Sequence, residues 1–437
     1  MFHGTNIEHA RTLNRRVVFE AVRRHGAITR ADLARLTGLT PQAVSNISAE
    51  LRDAGLIREG ARRQGLRGQP AVELSLEPTG GYAVGLNLGH QFLSGVLVNL
   101  AGEVIASDSL PLAAPVLPLD SLMGVMESVV EGLLAQARLP RDQLWGVGCG
   151  LPGLVRDGVL IVDTMSGGED RPHYPLAQSL GTRLNLPVIA ENDARAAAIG
   201  ERLYGIGREA RHFFYLHFGF GIGGGMIVDG DHYRGGSGGA GEIGHMIVKP
   251  GGRPCSCGNR GCLEQYCSLF SAGEAVGGTE RSADQVRPEE LSACLAANEP
   301  SFMTWLREAA HHLRTAIHNI EVMFDPETVV IGGSLPEDVL NRLVALTQPL
   351  LPSVYPDPAR GRALPRLTVA TAPDMPALGA AALPISAMIQ PSLGLLWKVP
   401  AGPGAALAQA ALSQAQTVLG SPFVRSEVSV TNLTENG

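Results

Sequence analysis

Four side chains offer one coherent piece of chemistry: His245, Cys255, Cys257 and Cys262. Three thiols separated by one and then four residues, with a histidine ten positions upstream, supply one borderline and three soft donors, a set that suits tetrahedral zinc. Four protein ligands leave no open position for water, so such a site fastens a loop with little core of its own and activates no nucleophile. Cys149, Cys267 and Cys294 read as packed small side chains.

A second group is acidic. Glu191-Asn192-Asp193 follows an apolar strand at Pro187–Ala190, and polar residues where a strand gives way to a helix sit at the sheet edge that commonly faces ligands. Asp193 is placed to accept a hydroxyl hydrogen bond or to abstract its proton; taken alone, Asn192-Asp193 is equally a helix cap. Downstream come the glycine-rich bend Gly219–Gly225, the run Gly235–Gly241 leading into Glu242-Ile243-Gly244-His245, and Cys262-Leu263-Glu264. The second ring nitrogen of His245 is free to donate toward a ligand held by Glu242 and Glu264.

A third group lies near the start. Val17, Val18, Ala21 and Val22 at helical intervals predict a first helix over Arg15–His25, stopped by Gly26. Thr29 with Asp32 resembles a capping box for a second helix whose buried stripe is Leu33 and Leu36, and Gly38 turns the chain. Thr40 caps a third helix that begins with Pro41 and runs to about Ala54, with Val44, Ile47 and Leu51 inward. Gln42, Ser45, Asn46 and Arg52 then lie outward, residue types that read bases in a major groove, although a solvated face of a helical bundle has the same pattern. From Leu56 to Leu74 two short strands flank a basic tip carrying Arg62, Arg63 and Arg67, a wing suited to phosphates or a narrow minor groove, or else a solvated linker.

The elements behind these groups form an α/β body. Apolar strands at Ala83–Leu88, Leu93–Asn99 and Val104–Ser107 form a meander, followed by a helix around Leu122–Ala137 and a strand at Leu144–Cys149. At 437 residues with 45% hydrophobic and 18% charged side chains, the chain is too long for one core and too apolar for overall disorder. No apolar run of membrane-spanning length and no leader at Met1–Asn6 is seen, so a cytoplasmic location without membrane partners is expected. Residues 1–76 hold twelve arginines against seven acids, a balance of +5, so the rest carries −12 of the overall −7. A basic head on an acidic body is the polarity of a chain whose head alone meets nucleic acid.

The segments GEIGH at 241–245 and CSCGNRGCLE at 255–264, supported by END at 191–193, GFGIGGG at 219–225 and IGG at 331–333, resemble the ROK family, which joins bacterial sugar kinases to sugar-responsive repressors. The resemblance spans about Arg15–Ala382 and implies a winged helix-turn-helix over 1–78. It also implies an actin-like (ribonuclease H-like) two-lobed body over 79–390, with a lobe boundary near 195 and a C-terminal helix returning to the first lobe. Residues 391–437 form an extension without recognised chemistry, and Ser426–Gly437 are expected to be mobile. The resemblance further implies structural zinc on His245, Cys255, Cys257 and Cys262, and sugar contacts from Asn192, Asp193, Glu242, His245 and Glu264 beside the loop Leu151-Pro152-Gly153. In kinase members the counterpart of Asp193 is the catalytic base.

Two departures from the kinase pattern matter. The Asp-x-Gly-Gly-Thr loop of family kinases is replaced by Asn87-Leu88-Gly89-His90-Gln91, which lacks the charge that magnesium prefers and puts a ring where a phosphate needs room. Phe220 stands where kinases often carry threonine. The expectation is a sugar-gated repressor with a vestigial base at Asp193, binding operator DNA as a homodimer or higher oligomer and a sugar or sugar phosphate in the cleft. An active sugar kinase with a DNA-binding appendage and a ligand-independent architectural DNA binder are the alternatives. Gly68-Gln69-Pro70 departs from the Gly-Arg-Pro of related wings, and Arg67 is the substitute contact.

Overall fold

A computed structural model describes residues 7–63, 71–112, 117–156, 158–161, 173–278, 283–354, 364–372 and 374–389. Arg67, Gly68-Gln69-Pro70 and the extension 391–437 lie outside them, as do the side chains of Arg62 and Arg63.

The head consists of α1 (Ile7–His25), β1 (Ile28–Thr29), α2 (Arg30–Thr37), α3 (Pro41–Asp53), β2 (Ile57–Arg63) and β3 (Ala71–Leu76). Local chemistry sets its helix ends. Thr29 Oγ1 accepts from Asp32 N at 3.2 Å and donates to Asp32 Oδ2 at 2.7 Å, Gly38 ends α2 at φ 70°, and Thr40 Oγ1 accepts from Ala43 N at 3.2 Å. Val18, Phe19, Val22, Leu33, Val44, Leu51 and Leu74 fill the core. Three expectations change. The first helix starts at Ile7, two turns before Arg15. The strand β1, unforeseen, pairs antiparallel with β3, giving the order β1-β3-β2. Leu36 and Val17 are 56% and 37% exposed, because both face past the helical core toward the junction with the body.

Two five-stranded sheets follow. The first lobe runs β4 (Tyr82–Leu88), β5 (Phe92–Asn99), β6 (Val104–Pro111), α4 (Leu119–Ala137), β7 (Leu144–Leu151), a small antiparallel sheet of β8 (Leu154–Arg156), β9 (Val159–Ile161) and β10 (His173–Tyr174), then α5 (Leu176–Leu184), β11 (Val188–Asn192) and α6 (Asp193–Tyr204). The second runs β12 (Phe213–Phe218), β13 (Ile222–Val228), β14 (Asp231–Tyr233), α7 (Glu264–Cys267), α8 (Leu269–Gly277), α9 (Pro288–Ala296), α10 (Pro300–Phe324), β15 (Thr328–Gly333), α11 (Glu337–Thr347), β16 (Leu367–Val369) and α12 (Met375–Ile389). The sheet orders are β6-β5-β4-β7-β11 and β14-β13-β12-β15-β16. In each, the first strand is central, its hairpin partners lie antiparallel on one side and two parallel strands on the other. This repeated topology is the two-lobed actin-like architecture. Gly223–Gly225, expected in a bend, belong to β13; only 219–221 turn the chain.

The last helix returns to the first lobe, where α12 packs on α6, β7 and β4. Glycine makes this approach possible: a Cβ on Gly148 would stand 1.8 Å from Ala380 O, and one on Gly379 1.6 Å from Ala196 O. Head and body share one apolar cluster, in which Leu56 and Leu76 join Val98 and Leu100. They are also clasped reciprocally, Arg24 Nη2 donating to Arg208 O and Arg208 Nη2 to Arg24 O, both at 3.1 Å. Among the described residues no helix is long and apolar enough to cross a membrane.

Candidate functional site

β11 runs two residues further than expected, so Glu191 and Asn192 end the strand and Asp193 opens α6. Asn192 is a true cap: its Oδ1 accepts from Arg195 N at 3.2 Å while Nδ2 donates to Gly153 O and to Asp193 Oδ1, each at 3.1 Å. It is 7% exposed and ties the loop at Gly153 to the start of α6. Asp193 Oδ1 also accepts from Ala194 N at 2.7 Å, so Oδ2 is the oxygen left over, 3.7 Å from His217 Nε2.

His217, which the sequence reading passed over, lies on β12 in the second lobe. It is buried, its Nδ1 has no hydrogen-bond partner, and burial pushes its pKa down while Asp193 partly restores it. A lone histidine inside the apolar run Phe213–Phe218 was the available signal. Arg195 was also passed over. It pairs with Glu191 at 2.7 Å, with both residues at most 3% exposed, and its Nη1 donates to Gly238 O at 2.7 Å. Arg234 Nη2 closes on the other oxygen of Glu191 at 3.1 Å. This buried network ties the 234–241 loop, and with it Glu242, to the start of α6.

Glu242 precedes a short turn over Ile243–His245. Burial pushes its carboxyl pKa up; His245 and Arg195 pull it back, and Asp193 and Glu264 push it further. Asp193, Glu242, His245 and Glu264 therefore share one electrostatic neighbourhood at the meeting of the lobes. Glu264 straddles two tasks. Its Oε1 accepts from Cys255 Sγ at 3.1 Å and stands 3.5 Å from His245 Nδ1, while a Cβ on Gly221 would come within 3.0 Å of its Oε2.

The four sulfur and nitrogen donors converge. Isolated bridges Ile247↔Cys262 and Pro254↔Arg260 fold the loop back on itself, with Cys255 N donating to Asn259 O at 2.9 Å and Gly258 N to Cys255 O at 3.0 Å. Tetrahedral ligation at ordinary zinc bond lengths sets two sulfurs roughly 3.8 Å apart and a sulfur and a nitrogen roughly 3.6 Å apart. Cys257 Sγ and Cys262 Sγ are separated by 3.7 Å, Cys255 Sγ and His245 Nδ1 by 3.5 Å, and all four donor atoms lie within 4.8 Å of one another. The cluster fits a metal ion of this size, and Nε2 is the ring atom of His245 that remains for a ligand. Cys149 and Cys267 are buried away from it; Cys267 Sγ donates to Ala309 O at 3.3 Å.

The two departures from the kinase pattern meet in space. The ring of His90, just after β4 of the first lobe, stacks on that of Phe220, in the β12–β13 turn of the second, with centroids 3.6 Å apart and planes 11° from parallel. Phe270 meets Phe220 edge-on at 5.2 Å, and Gln91 Nε2 crosses to Val286 O at 3.1 Å. Asn87 Oδ1 is buried without a hydrogen-bond partner.

On the head, Gln42, Ser45, Asn46 and Arg52 are all exposed on α3. Gln42 Nε2 donates to Asn46 Oδ1 at 2.9 Å. Arg52, on the outer face as expected, is also held by acids, Asp53 at 3.0 Å and Glu59 of the wing strand at 3.3 Å, and Glu59 also takes Arg30 at 2.6 Å. Arg62 and Arg63 close β2.

Comparison with known proteins agrees with this architecture. The ROK family model matches residues 83–386, and the MarR family model matches residues 12–67. The chain is 28% identical over 377 residues to the xylose repressor of Bacillus spizizenii, covering 85% of this chain and 95% of that one. A ROK family transcriptional regulator, a homologue of Escherichia coli Mlc, superposes with a TM-score of 0.66 at 26% identity over 89% of this chain and 98% of its own. A ROK family glucokinase from Streptomyces griseus, solved with glucose and AMPPNP, gives 0.57 at 26% identity over 69% and 99%. With the matched segment, residues 83–386, covering more than half of the chain, this chain belongs to the ROK family.

Proposed function

We propose that this protein is a sugar-responsive transcriptional repressor that binds operator DNA through residues 1–78 and a sugar or sugar phosphate in the cleft of residues 79–390, without phosphorylating it. The observation that carries the reading is the His90–Phe220 stack. Phosphoryl transfer depends on placing magnesium and phosphate oxygens between the lobes. Here two rings occupy that approach, and Asn87 brings no charge to it. Asp193 keeps a carboxylate oxygen for a ligand hydroxyl, with no activated phosphate to deliver to it.

Asn192, Asp193, Glu242, His245 and Glu264 form the sugar-binding group, Asn192 by holding the Gly153 loop and the others by direct contact. Zn2+ on His245, Cys255, Cys257 and Cys262 supplies structural rigidity and fixes the ring that faces the sugar. Gln42, Ser45 and Asn46 read the major groove, while Arg52, Arg62, Arg63 and Arg67 add phosphate contacts. Two copies present two heads to paired half-sites. Sugar that prefers one lobe arrangement changes the separation of those heads. Weakening operator affinity by about a hundredfold needs roughly 2.7 kcal/mol of preference between the two states.

The test is operator binding followed by fluorescence anisotropy, with the chain's own upstream promoter as probe. One sugar from a panel of hexoses, pentoses, N-acetylated hexosamines and their phosphates is expected to release the DNA. Tight promoter binding insensitive to every sugar would favour an architectural DNA binder.

A further inference from the structure

Helix α6 carries the sugar group at one end and reaches the head at the other. Its first turn holds Asp193, with Asn192 as cap, and its twelve residues span about 18 Å at 1.5 Å per residue. Beyond its last turn, Gly205 N donates to Glu201 O and the single turn Ile206–Arg208 follows. Arg208 makes both halves of the reciprocal contact with Arg24, in the last turn of α1. Glu201 braces this end from inside: fully buried, it accepts from Ile206 N through Oε2 at 2.9 Å and from Thr371 N through Oε1 at 3.0 Å. Buried backbone donors are costly to leave unmet, so the turn moves with the helix and not apart from it.

The flanks of α6 are smooth. Toward the second lobe it meets glycines of β13: a Cβ on Gly223 would stand 2.9 Å from that of Ala194, and one on Gly225 2.5 Å from that of Ala198. Toward α12, a Cβ on Gly200 would stand 2.6 Å from Met375 O. With glycine against alanine and backbone, no long side chains lock the helix in register along these contacts, and small sliding of packed elements is the shear form of conformational change. The sugar group straddles the β13 contact, with Asn192 and Asp193 on the α6 side and Glu242, His245 and Glu264 on the second lobe. A ligand gripping both pulls on the first turn of α6.

We propose that α6 is the rod that couples the cleft to the head: sugar held between Asp193 and the second lobe shifts the helix along β13, and the Glu201-braced turn passes the shift through Arg208 to Arg24. The proposal deepens the repressor reading and rests on it. Arg24 and Arg208 act as positioning residues, and neither belongs to the groups assigned to sugar or DNA. A second head–body contact, Arg16 of α1 to Asp231 of β14 at 3.8 Å, bypasses α6 and serves as the control.

Two readouts on the full chain test the rod, using whichever of glucose, xylose and N-acetylglucosamine most raises the melting temperature. The first is the ratio of operator affinities without and with saturating sugar. Arg24→Ala/Arg208→Ala should lower that ratio at least about fivefold, with sugar affinity within about twofold of wild type, because two transmitting hydrogen bonds are lost and no sugar contact is. Arg16→Ala should leave the ratio within about twofold. The second readout, hydrogen exchange without DNA, should show sugar-dependent change at residues 205–208 and 22–26 in wild type, and only at 205–208 in the double variant. Should the double variant fold poorly by circular dichroism, Arg208→Ala decides alone. An unchanged ratio in the arginine variant, an equal fall in Arg16→Ala, or exchange at 22–26 indifferent to sugar in wild type overturns the proposal. Operator binding that no sugar weakens, with the exchange pattern as expected, overturns the repressor reading and supports the rod. A chain that binds none of the three sugars contradicts both.

Discussion

Replacing Asp193 by asparagine isolates one atom. In the structure Oδ1 is already committed to Ala194 N at 2.7 Å and to Asn192 Nδ2 at 3.1 Å, and asparagine keeps an oxygen there, so the start of α6 survives. What changes is Oδ2, the oxygen near His217 that is left for a sugar hydroxyl. A hydrogen bond to a charged acceptor contributes about 1.5–3 kcal/mol, so sugar affinity should fall about 10- to 150-fold. The assay is isothermal titration calorimetry of wild type and Asp193→Asn with whichever sugar most raises the melting temperature of the wild type. Affinity within about threefold of wild type would refute the assignment of Asp193 to the sugar, because a charged acceptor cannot be exchanged at so little cost.

Three further outcomes follow from other parts of the site. Arg195→Met leaves Glu191 with only Asn192 N and the half-exposed Arg234 and orphans Gly238 O; a loss of about 3–5 kcal/mol in urea denaturation is expected, together with weaker sugar binding. His217 is held below its ordinary pKa by burial, so the unfolded chain takes up a proton that the folded chain refuses; stability should decline as pH falls below about 6.5, and His217→Gln should flatten that decline. Metal analysis of the purified chain should give one zinc per chain, lost in Cys257→Ser with a lowered melting temperature, whereas a metal-free wild type of unchanged stability would remove the cluster from the account.

The parts legible in sequence were those fixed by neighbours in the chain. Thr29 and Thr40 cap helices because their oxygens reach donors three residues on, and the thiol spacing brought donors together because a tight loop joins them. Contacts made across the fold were not legible. Leu36 and Val17 have the periodicity of core residues, and only the body shows that they face a junction cavity. β1 is two residues long and exists because β3 lies beside it. Arg52 lies on the face its spacing gives it; that Glu59 also holds it depends on the wing. His90 and Phe220 were each visible as departures from a kinase loop; that they stack on one another depends on both lobes. Arg195 carried a local signal in its four-residue separation from Glu191, whereas its hold on the 234–241 loop did not.

The central claim is that a sugar is held without being phosphorylated. One sample measures both halves: the chain with its best-binding sugar, ATP and magnesium, with sugar occupancy read by calorimetry and sugar phosphate by coupled assay. Saturable sugar binding with no product above the protein-free control is the expected result. Sugar phosphate formed at many turnovers per chain, and abolished in Asp193→Asn, would contradict it.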